Sequence, residues 1–277
     1  MQTINCKGTL IDLAVPRVMG IINITPDSFY DGGVTTSESL VLQQASRMLQ
    51  DGATFLDVGG YSSRPDATDI SEEEEIARVV PAIKAISREF PDALISIDTF
   101  RANVAKQSIH AGACVVNDIS AGNLDKNMLH VIGAAQVPYI MMHMRGTPQT
   151  MKTLTDYQDI TKEVLFYFSE RLAAARSYNI NDIVVDPGFG FAKTTTQSFE
   201  LLNHLALFET LEVPMLAGIS RKSMIYKTLD VSAKEALNGT TALHMIALQK
   251  GAKILRVHDV KEATECIKLF EQLNTDD

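Results

Sequence analysis

The sequence predicts a single (β/α)8 barrel, and three observations lead to this prediction. Eight short apolar runs recur along the 277 residues, with enough chain between them for a helix each time. Each run is continuous rather than alternating, which is typical of a parallel strand covered on both faces. Polar residues follow directly after these runs, and in a barrel the C-terminal ends of all strands share the face that carries the active site.

The predicted strands and helices follow in order along the chain. The eight strands are predicted at 18–22, 55–58, 94–97, 115–116, 139–142, 183–185, 215–217 and 254–257. A helix is predicted after Ser71, because Ser71 and Glu74 have the spacing of a capping box and the acidic run 72–75 suits a first helical turn. Two further helices are predicted at 160–178 and 233–250.

The chain is interpreted as one domain, 1–277, since it has no linker, low-complexity tract or close internal repeat. Residues 1–13 precede the first strand and are expected to close the bottom of the barrel. The alternative is a doubly wound sheet. Such a sheet normally has a glycine fingerprint in its first strand-to-helix turn, and residues 20–23 (GIIN) are not one.

Composition excludes several classes of protein. A net charge of -9 argues against a nucleic-acid surface, which needs a basic stripe. Three scattered cysteines with no zinc spacing indicate free thiols in a reducing compartment. The N-terminus lacks the apolar core of a signal peptide, and no apolar run reaches transmembrane length. We therefore expect a soluble cytoplasmic protein that has no nucleic-acid or membrane partner.

Polar residues at the predicted strand ends divide into acceptors and donors. Asp98, Asn117 and Asp186 suit a planar, nitrogen-rich heterocycle whose N–H edges need partners, with Lys222 or a ligand balancing the buried charge. Arg64, Arg256 and His258 are donors, and on an acidic protein their convergence suggests a ligand phosphate or diphosphate.

Structural roles for some of these residues stay open. Arg256 could pair with Asp259, and His258 could be a surface histidine with satisfied hydrogen bonds. Asp118 and Asp259 are interpreted as helix N-caps. Asn23 could hold one position on a Mg²⁺ that is otherwise bound by water and substrate phosphates.

Seven motifs together resemble one family, the bacterial dihydropteroate synthases. They are 23–33 (NITPDSFYDGG), 59–65 (GGYSSRP), 97–99 (IDT), 116–118 (VND), 186–191 (DPGFGF), 220–223 (SRKS) and 256–260 (RVHDV). They span nearly the whole chain, in order. The resemblance implies a (β/α)8 barrel that joins para-aminobenzoate to a dihydropterin methyl diphosphate and releases diphosphate. It also implies a homodimer and a target of sulfonamides.

The resemblance implies a role for each matching residue. Asp98, Asn117, Asp186 and Lys222 would bind the pterin, and Asn23, Arg64, Arg256 and His258 the diphosphate with its Mg²⁺, of which Asn23 is the metal ligand. Ser63, Arg64, Pro65, Phe191 and Ser223 would frame para-aminobenzoate, together with Lys222. Phe29 and Asp31 would close over the reacting carbon and would be catalytic together with Lys222 and Arg256.

The second motif departs from the family pattern, which usually reads GGESTRPG. Tyr61 replaces the Glu, Ser63 the Thr and Asp66 the final Gly. We hypothesise that this change weakens sulfonamide binding. Two other kinds of protein remain as alternatives: a methyltetrahydrofolate:corrinoid methyltransferase-like barrel, and a non-catalytic pterin-binding barrel.

Overall fold

The computed structural model describes residues 2–24, 34–62 and 69–273, and within them it shows a closed barrel of eight parallel strands. The barrel strands are β3 (Arg17–Asn23), β4 (Phe55–Gly59), β5 (Leu94–Asp98), β6 (Val115–Asp118), β7 (Tyr139–Met142), β8 (Ile183–Asp186), β9 (Met215–Ala217) and β10 (Ala252–Val257). They pair in chain order, and β10 closes the barrel against β3. The predicted (β/α)8 barrel is confirmed, and the doubly wound alternative is wrong.

Helices α1 to α9 lie outside the barrel. They are α1 (Val34–Gln50), α2 (Glu72–Glu89), α3 (Ala102–Ala111), α4 (Met128–Ala135), α5 (Ile160–Ser177), α6 (Thr195–Asn203), α7 (Ser223–Leu229), α8 (Leu237–Gln249) and α9 (Val260–Gln272). Short 3₁₀ turns at Met151–Thr153, Leu205–Leu211 and Ala233–Glu235 complete the connections. The helix predicted at 233–250 is therefore a 3₁₀ turn followed by α8.

Only half of the predicted capping box at the start of α2 forms. The Ser71 hydroxyl accepts a hydrogen bond from the Glu74 backbone N–H at 3.1 Å. The Glu74 carboxylate binds Arg78, one turn further along, instead of the N-cap backbone. A complete box begins α6, where the Thr194 hydroxyl and the Gln197 side chain each bind the other's backbone N–H.

A hairpin of β1 (Thr3–Cys6) and β2 (Thr9–Asp12) lies at the N-terminal end of the barrel. Ile4, Cys6 and Leu13 share one apolar cluster with residues from the first half of each barrel strand, among them Met19 and Phe55. These barrel residues are the lower inward-facing layer, and the residues between them, such as Leu56, pack outward against the helices.

The polar residues at the C-terminal strand ends also face the barrel interior, above the apolar layer at its N-terminal end. Each predicted strand from β3 to β6, and β8, extends one or two residues beyond its apolar run, because the ladder continues into the polar residues. Asn23 pairs with Gly59, Gly59 with Asp98, and Asp98 with Asn117, so these positions form one row across four strands. The barrel interior is therefore apolar at its N-terminal end and polar at its C-terminal end.

No helix in the described part of the chain combines the length and the apolar character that crossing a bilayer requires.

Candidate active site

The polar C-terminal end of the barrel, here called the barrel mouth, contains Asn23, Asp57, Asp98, Asn117, Asp186, Lys222 and Arg256. The first four lie on adjacent strands β3 to β6, and Arg256 lies on β10, beside β3. Asp186 ends β8, and Lys222 comes from the turn before α7. The register therefore brings together residues that are up to 233 positions apart along the chain (256 − 23 = 233).

Arg256 joins two carboxylates at the barrel mouth. Its Nε donates to Asp57 Oδ2 and its Nη2 to Asp98 Oδ2, each at 2.6 Å. Asn117 Nδ2 donates to the same Asp57 oxygen at 3.0 Å. Asp57 is completely buried, so it holds Arg256 and Asn117 from below. These contacts fix the guanidinium plane, which is the geometric advantage of arginine over lysine.

The sequence motif analysis gave Asp57 no role, although it lies at the centre of this network. The alternative in which Arg256 pairs with Asp259 is wrong, because Asp259 binds both Nε and Nη2 of Arg221, at 2.7 and 2.8 Å. The predicted division of the site residues into pterin acceptors and phosphate donors is also incomplete, because the two groups contact each other. Arg256, expected among the phosphate donors, is bonded directly to Asp98, expected among the pterin acceptors.

Burial is the main reason for the unusual acidity of Asp98. It raises the pKa of Asp98 to about 7, and the nearby carboxylates of Asp57, Glu75 and Asp118 act in the same direction. The Arg256 guanidinium opposes them. One cation thus serves two carboxylates, and a ligand that brings N–H donors to Asp98 would supply the missing partner.

Lys222 and Asp186 bring a second cation and a further carboxylate to the barrel mouth. A Cβ on Gly218 would lie 3.5 Å from Asp186 Oδ2 and 3.8 Å from Lys222 Nζ, so both groups border the space that this glycine leaves open. Lys222 Nζ donates to the Phe189 carbonyl at 2.6 Å and lies 4.7 Å from the centre of the Phe191 ring. Burial lowers the pKa of Lys222 to about 8, against the raising effect of Asp186.

His258 follows β10 and is held by Ser220. The Ser220 hydroxyl accepts from the His258 backbone N–H at 3.2 Å and lies 3.0 Å from His258 Nδ1. Since that hydroxyl already accepts one bond, its proton is available for Nδ1, which would leave the ring proton on Nε2. His258 is exposed, as one alternative expected, but its ring is fixed rather than free to rotate.

Asp118 and Asp259 do not cap helices as expected. Asp118 accepts hydrogen bonds from Ser120, from the Gly122 backbone and from the Tyr139 hydroxyl, so it closes the turn after β6, well before α4 begins. Asp259 occupies the N-cap position of α9, but its side chain makes no capping bond and pairs with Arg221 instead.

Tyr61 lies among residues from three different connections. Its ring stands edge-on to Phe100 with centroids 5.0 Å apart, and the Arg101 guanidinium lies 5.3 Å from the centre of each ring. Its hydroxyl accepts from Gln149 Nε2 at 2.7 Å. Arg101 also binds the buried Glu75 at 2.7 Å. Tyr61 is therefore a contact between the residues that follow β4, β5 and β7.

Several expected site residues lie outside the described part of the chain, namely Phe29, Asp31, Ser63, Arg64 and Pro65, together with Asp66 of the altered motif. Ser223 is the first residue of α7, next to Lys222. The residues that sequence reasoning missed are Asp57 and Ser220, which hold Arg256 and His258. Asp57 carried one signal, a carboxylate within an apolar strand.

The barrel mouth fits a magnesium ion held mainly by a substrate. A Cβ on Gly59 would lie 3.8 Å from Asn23 Oδ1 and 3.6 Å from Asp98 Oδ2, so a neutral oxygen ligand lies at the rim beside a carboxylate. Over residues 2–24, 34–62 and 69–273, no three acidic, histidine or cysteine side chains are grouped as a metal site. A site of one carboxamide with water and phosphate oxygens is the arrangement that Mg²⁺ often adopts.

Comparisons with known proteins agree with this geometry. The family described as "Pterin binding enzyme" matches residues 19–258, from β3 to the end of the barrel. A dihydropteroate synthase of Escherichia coli is 42% identical over 267 residues, which cover 96% of this chain and 94% of that protein.

Two solved structures have a similar fold over the same length. A Yersinia pestis dihydropteroate synthase in complex with a sulfonamide drug superimposes with a TM-score of 0.92 at 39% identity, covering 99% of each chain. A Xanthomonas albilineans dihydropteroate synthase with 4-aminobenzoic acid gives a TM-score of 0.92 at 36% identity, again covering 99% of each chain. The chain therefore belongs to the pterin-binding enzyme family and, within it, to the dihydropteroate synthases.

Proposed function

We propose that the protein joins para-aminobenzoate to 6-hydroxymethyl-7,8-dihydropterin diphosphate and releases 7,8-dihydropteroate and diphosphate. The observation that carries this proposal is the barrel mouth itself, where Arg256 bridges Asp57 and Asp98, and where Lys222 and Asp186 supply a second cation and a further carboxylate. Membership of the dihydropteroate synthases makes the protein a transferase of folate synthesis.

The pterin is proposed to bind between β5 and β8. Asp98, Asn117 and Asp186 lie at the C-terminal ends of β5, β6 and β8 and can accept the N–H groups of the ring. Lys222 supplies a positive charge beside Asp186 and can donate to a ring acceptor. The raised pKa of Asp98 suits this role, because N–H donors from a ligand would stabilise the carboxylate that burial disfavours.

The diphosphate is proposed to bind near β10 and β3, which are adjacent in the barrel. Arg256 and His258 come from the end of β10, and Asn23 from the end of β3. Arg64 would join them. When Mg²⁺ is bound at Asn23, it would neutralise charge on the leaving diphosphate. Arg256 and His258 would stabilise the same charge as it grows, which favours a dissociative substitution.

Para-aminobenzoate is proposed to lie against Phe191, Lys222 and Ser223, and the resemblance adds Ser63, Arg64 and Pro65 to the residues that bind it. The Phe191 ring and the Lys222 ammonium are already in contact, so they present an apolar face and a cation side by side. That pair suits a flat aromatic acid. The amine attacks as a neutral nucleophile and needs no strong base, and Asp31 with Phe29 would stabilise the cationic carbon.

The proposed function predicts that dihydropteroate forms only when both substrates and Mg²⁺ are present. The purified protein would be incubated with para-aminobenzoate and the pterin diphosphate, and dihydropteroate and diphosphate would be measured. EDTA should abolish product formation, and added Mg²⁺ should restore it. A protein that binds the pterin but forms no product under any of these conditions would contradict the proposal and favour a non-catalytic or methyltransferase-like barrel.

A second prediction concerns sulfonamides, which we propose bind in the para-aminobenzoate position. The variant Tyr61→Glu, Asp66→Gly should be inhibited by a sulfonamide at lower concentration than the unchanged protein. A carboxylate at position 61 would pair with Arg101 rather than stack on it, and would release Gln149. Tyr61→Phe is the control, since it keeps the ring contacts and loses only the bond to Gln149. Equal inhibition constants for all three proteins would remove the idea.

We also propose that the protein acts in the cytoplasm, where its free thiols Cys6, Cys114 and Cys266 would stay reduced, and that it is a homodimer, as the resemblance implies.

A further inference from the structure

Lys193 is a completely internal lysine that the proposed reaction does not use. It lies in the loop between β8 and α6, here called the β8–α6 loop and covering residues 187–194. Only 7% of Lys193 is exposed. Its Nζ lies 3.0 Å from both the Gly188 and the Phe191 carbonyl oxygens, 3.3 Å from the His143 carbonyl and 2.8 Å from His143 Nδ1.

The atoms around Nζ define what Lys193 has to do. Three of them are carbonyl oxygens, which only accept, and the fourth is His143 Nδ1, so four partners share the N–H groups of Nζ. None of its hydrogen-bond partners is a carboxylate. A buried ammonium without a carboxylate in contact is costly, and methionine would fill the same volume without that cost. The arrangement is therefore explained better by what Lys193 holds than by its own contribution to stability.

What Lys193 holds is the backbone of the β8–α6 loop. Gly188, Gly190 and Ala192 all have positive φ, at +71°, +79° and +48°, so the loop repeatedly enters the left-handed region. For Ala192 this conformation is unfavourable, because it brings Cβ close to the following carbonyl oxygen. Lys193 binds the carbonyls of Gly188 and Phe191, on either side of Gly190, and it binds His143, which follows β7. It therefore supplies hydrogen bonds to a loop that has few regular backbone hydrogen bonds.

The same loop supplies most of the surroundings of Lys222. The Phe189 carbonyl accepts from Lys222, and the Phe191 ring lies against it. The Gly188 N–H donates to Asp186 Oδ1 at 2.8 Å and so orients the carboxylate that faces Lys222. A shift of the loop would therefore move the Asp186 carboxylate, the lysine acceptor and the aromatic ring together.

His143 completes the arrangement from β7. Its ring is buried and stands edge-on to Tyr167, with centroids 4.8 Å apart. Its backbone N–H donates to the Asp186 carbonyl at 3.0 Å, so β7 and β8 stay in register up to this point. A Cβ on Gly188 would come within 2.2 Å of the His143 carbonyl, so the loop has to pack directly against this residue.

We propose that Lys193, held by His143, is a positioning residue for pterin binding: it fixes the β8–α6 loop so that Asp186, the Phe189 carbonyl and Phe191 keep their places around Lys222. The inference rests on the proposed function, because it assigns the pterin to Asp186 and Lys222. It adds a residue that touches no substrate and acts through the loop.

Two substitutions of Lys193 test the proposal. Lys193→Met keeps the length and removes the donors, whereas Lys193→Gln keeps two N–H donors on a slightly shorter side chain. Lys268→Met, at an exposed position of α9, is the matched control. For each protein, binding of 6-hydroxymethylpterin would be measured by calorimetry, and kcat and KM for the pterin diphosphate by product formation.

Lys193→Met should weaken 6-hydroxymethylpterin binding about tenfold or more and raise KM in parallel, with kcat reduced less than about threefold. Lys193→Gln should recover part of the binding, and Lys268→Met should match the unchanged protein. If Lys193 were only structural, its loss would reduce the active fraction and leave the Kd of the folded protein unaltered. That outcome would overturn the inference.

A second substitution covers the case in which Lys193→Met does not fold. His143→Phe keeps an aromatic ring against Tyr167 and removes Nδ1, which is one of the four hydrogen-bond partners of Lys193 Nζ. It should weaken pterin binding in the same direction, and its effect should largely disappear when combined with Lys193→Gln. If the losses of pterin binding in the two single variants simply added in the double variant, the proposal would be contradicted. An unchanged protein that binds 6-hydroxymethylpterin but forms no dihydropteroate would contradict the proposed function alone.

Discussion

Arg256→Ala should lower kcat/KM for the pterin diphosphate by about 10²–10³-fold, the usual effect of removing one electrostatic group from a transition state. Arg256 is the only group at the described barrel mouth, within 2–24, 34–62 and 69–273, that bridges two of its carboxylates. Its loss would remove the positive charge that stabilises the leaving diphosphate, and Asp98 would lose the partner that fixes its side chain. Steady-state kinetics at saturating Mg²⁺ and para-aminobenzoate would measure the change.

The structure adds a stability effect to this prediction. Asp57 is fully buried and keeps only its bond from Asn117 when Arg256 is removed. Breaking a buried pair from one side typically costs about 3–5 kcal/mol. Urea denaturation should therefore show a clear loss of unfolding free energy in Arg256→Ala. Adding Asp57→Asn should restore much of it, because a neutral amide needs no cation.

The double variant separates the two effects. If Arg256 acts on the diphosphate, the stabilised Asp57→Asn, Arg256→Ala protein remains as inactive as the single variant. Recovered activity would mean that Arg256 serves only to neutralise Asp57. Near-normal turnover of a folded Arg256→Ala protein would rule out its role with the diphosphate altogether.

The barrel could be predicted because its signal is local and repeated. Each strand is a short apolar run, and some runs, such as 183–185, are followed by a polar residue that the ladder then includes. Helix ends were harder, because they depend on which of two nearby polar partners a side chain chooses. Glu74 had the spacing for a capping box, but Arg78 one turn away is a charged partner and binds it instead.

The candidate site could be predicted as a set of positions but not as a set of contacts. A strand end shows where a side chain starts, whereas its partner depends on which strand lies alongside. Asp259 is three residues from Arg256 in the sequence, yet Arg256 binds Asp57, which is 199 positions away. β10 reaches Asp57 across the barrel interior only because it closes the ring against β3.

Asp57 shows why a structural carboxylate is difficult to recognise from sequence. It lies within the run 55–58, which gives a good strand whether position 57 faces inward or outward. Only the strand register places it in the same inward column as Phe55 below and Gly59 above. The same limit applies to Lys193, which the sequence motifs do not single out and which is buried.

Lys222→Ala should reduce kcat/KM by about 10²–10³-fold, because Lys222 provides the cation beside Asp186 and a face of the para-aminobenzoate position. In contrast to Arg256→Ala, it should cause no large loss of stability. Burial lowers the pKa of Lys222 to about 8, so the charged form is disfavoured in the folded protein and its removal relieves that cost. The two variants would therefore lose similar activity with different stability.

The pH dependence gives a sharper test of the Lys222 charge. Binding requires Asp98 to be ionised, which holds above its pKa of about 7, and Lys222 to be charged, which holds below its pKa of about 8. The kcat/KM profile should therefore be a narrow bell, since this ratio reports groups of the free enzyme. Lys222→Arg should keep part of the activity and lose the basic limb, because guanidinium stays charged throughout this range.

Binding of 6-hydroxymethylpterin over the same pH range is the control for this profile, because that ligand has no diphosphate to ionise. It should show the same two limbs in the unchanged protein and only the acidic limb in Lys222→Arg. A basic limb that persists in Lys222→Arg would show that another group titrates there. The charge of Lys222 would then not limit pterin binding. The contact of Lys222 with the Phe191 ring would have to explain the loss of activity in Lys222→Ala.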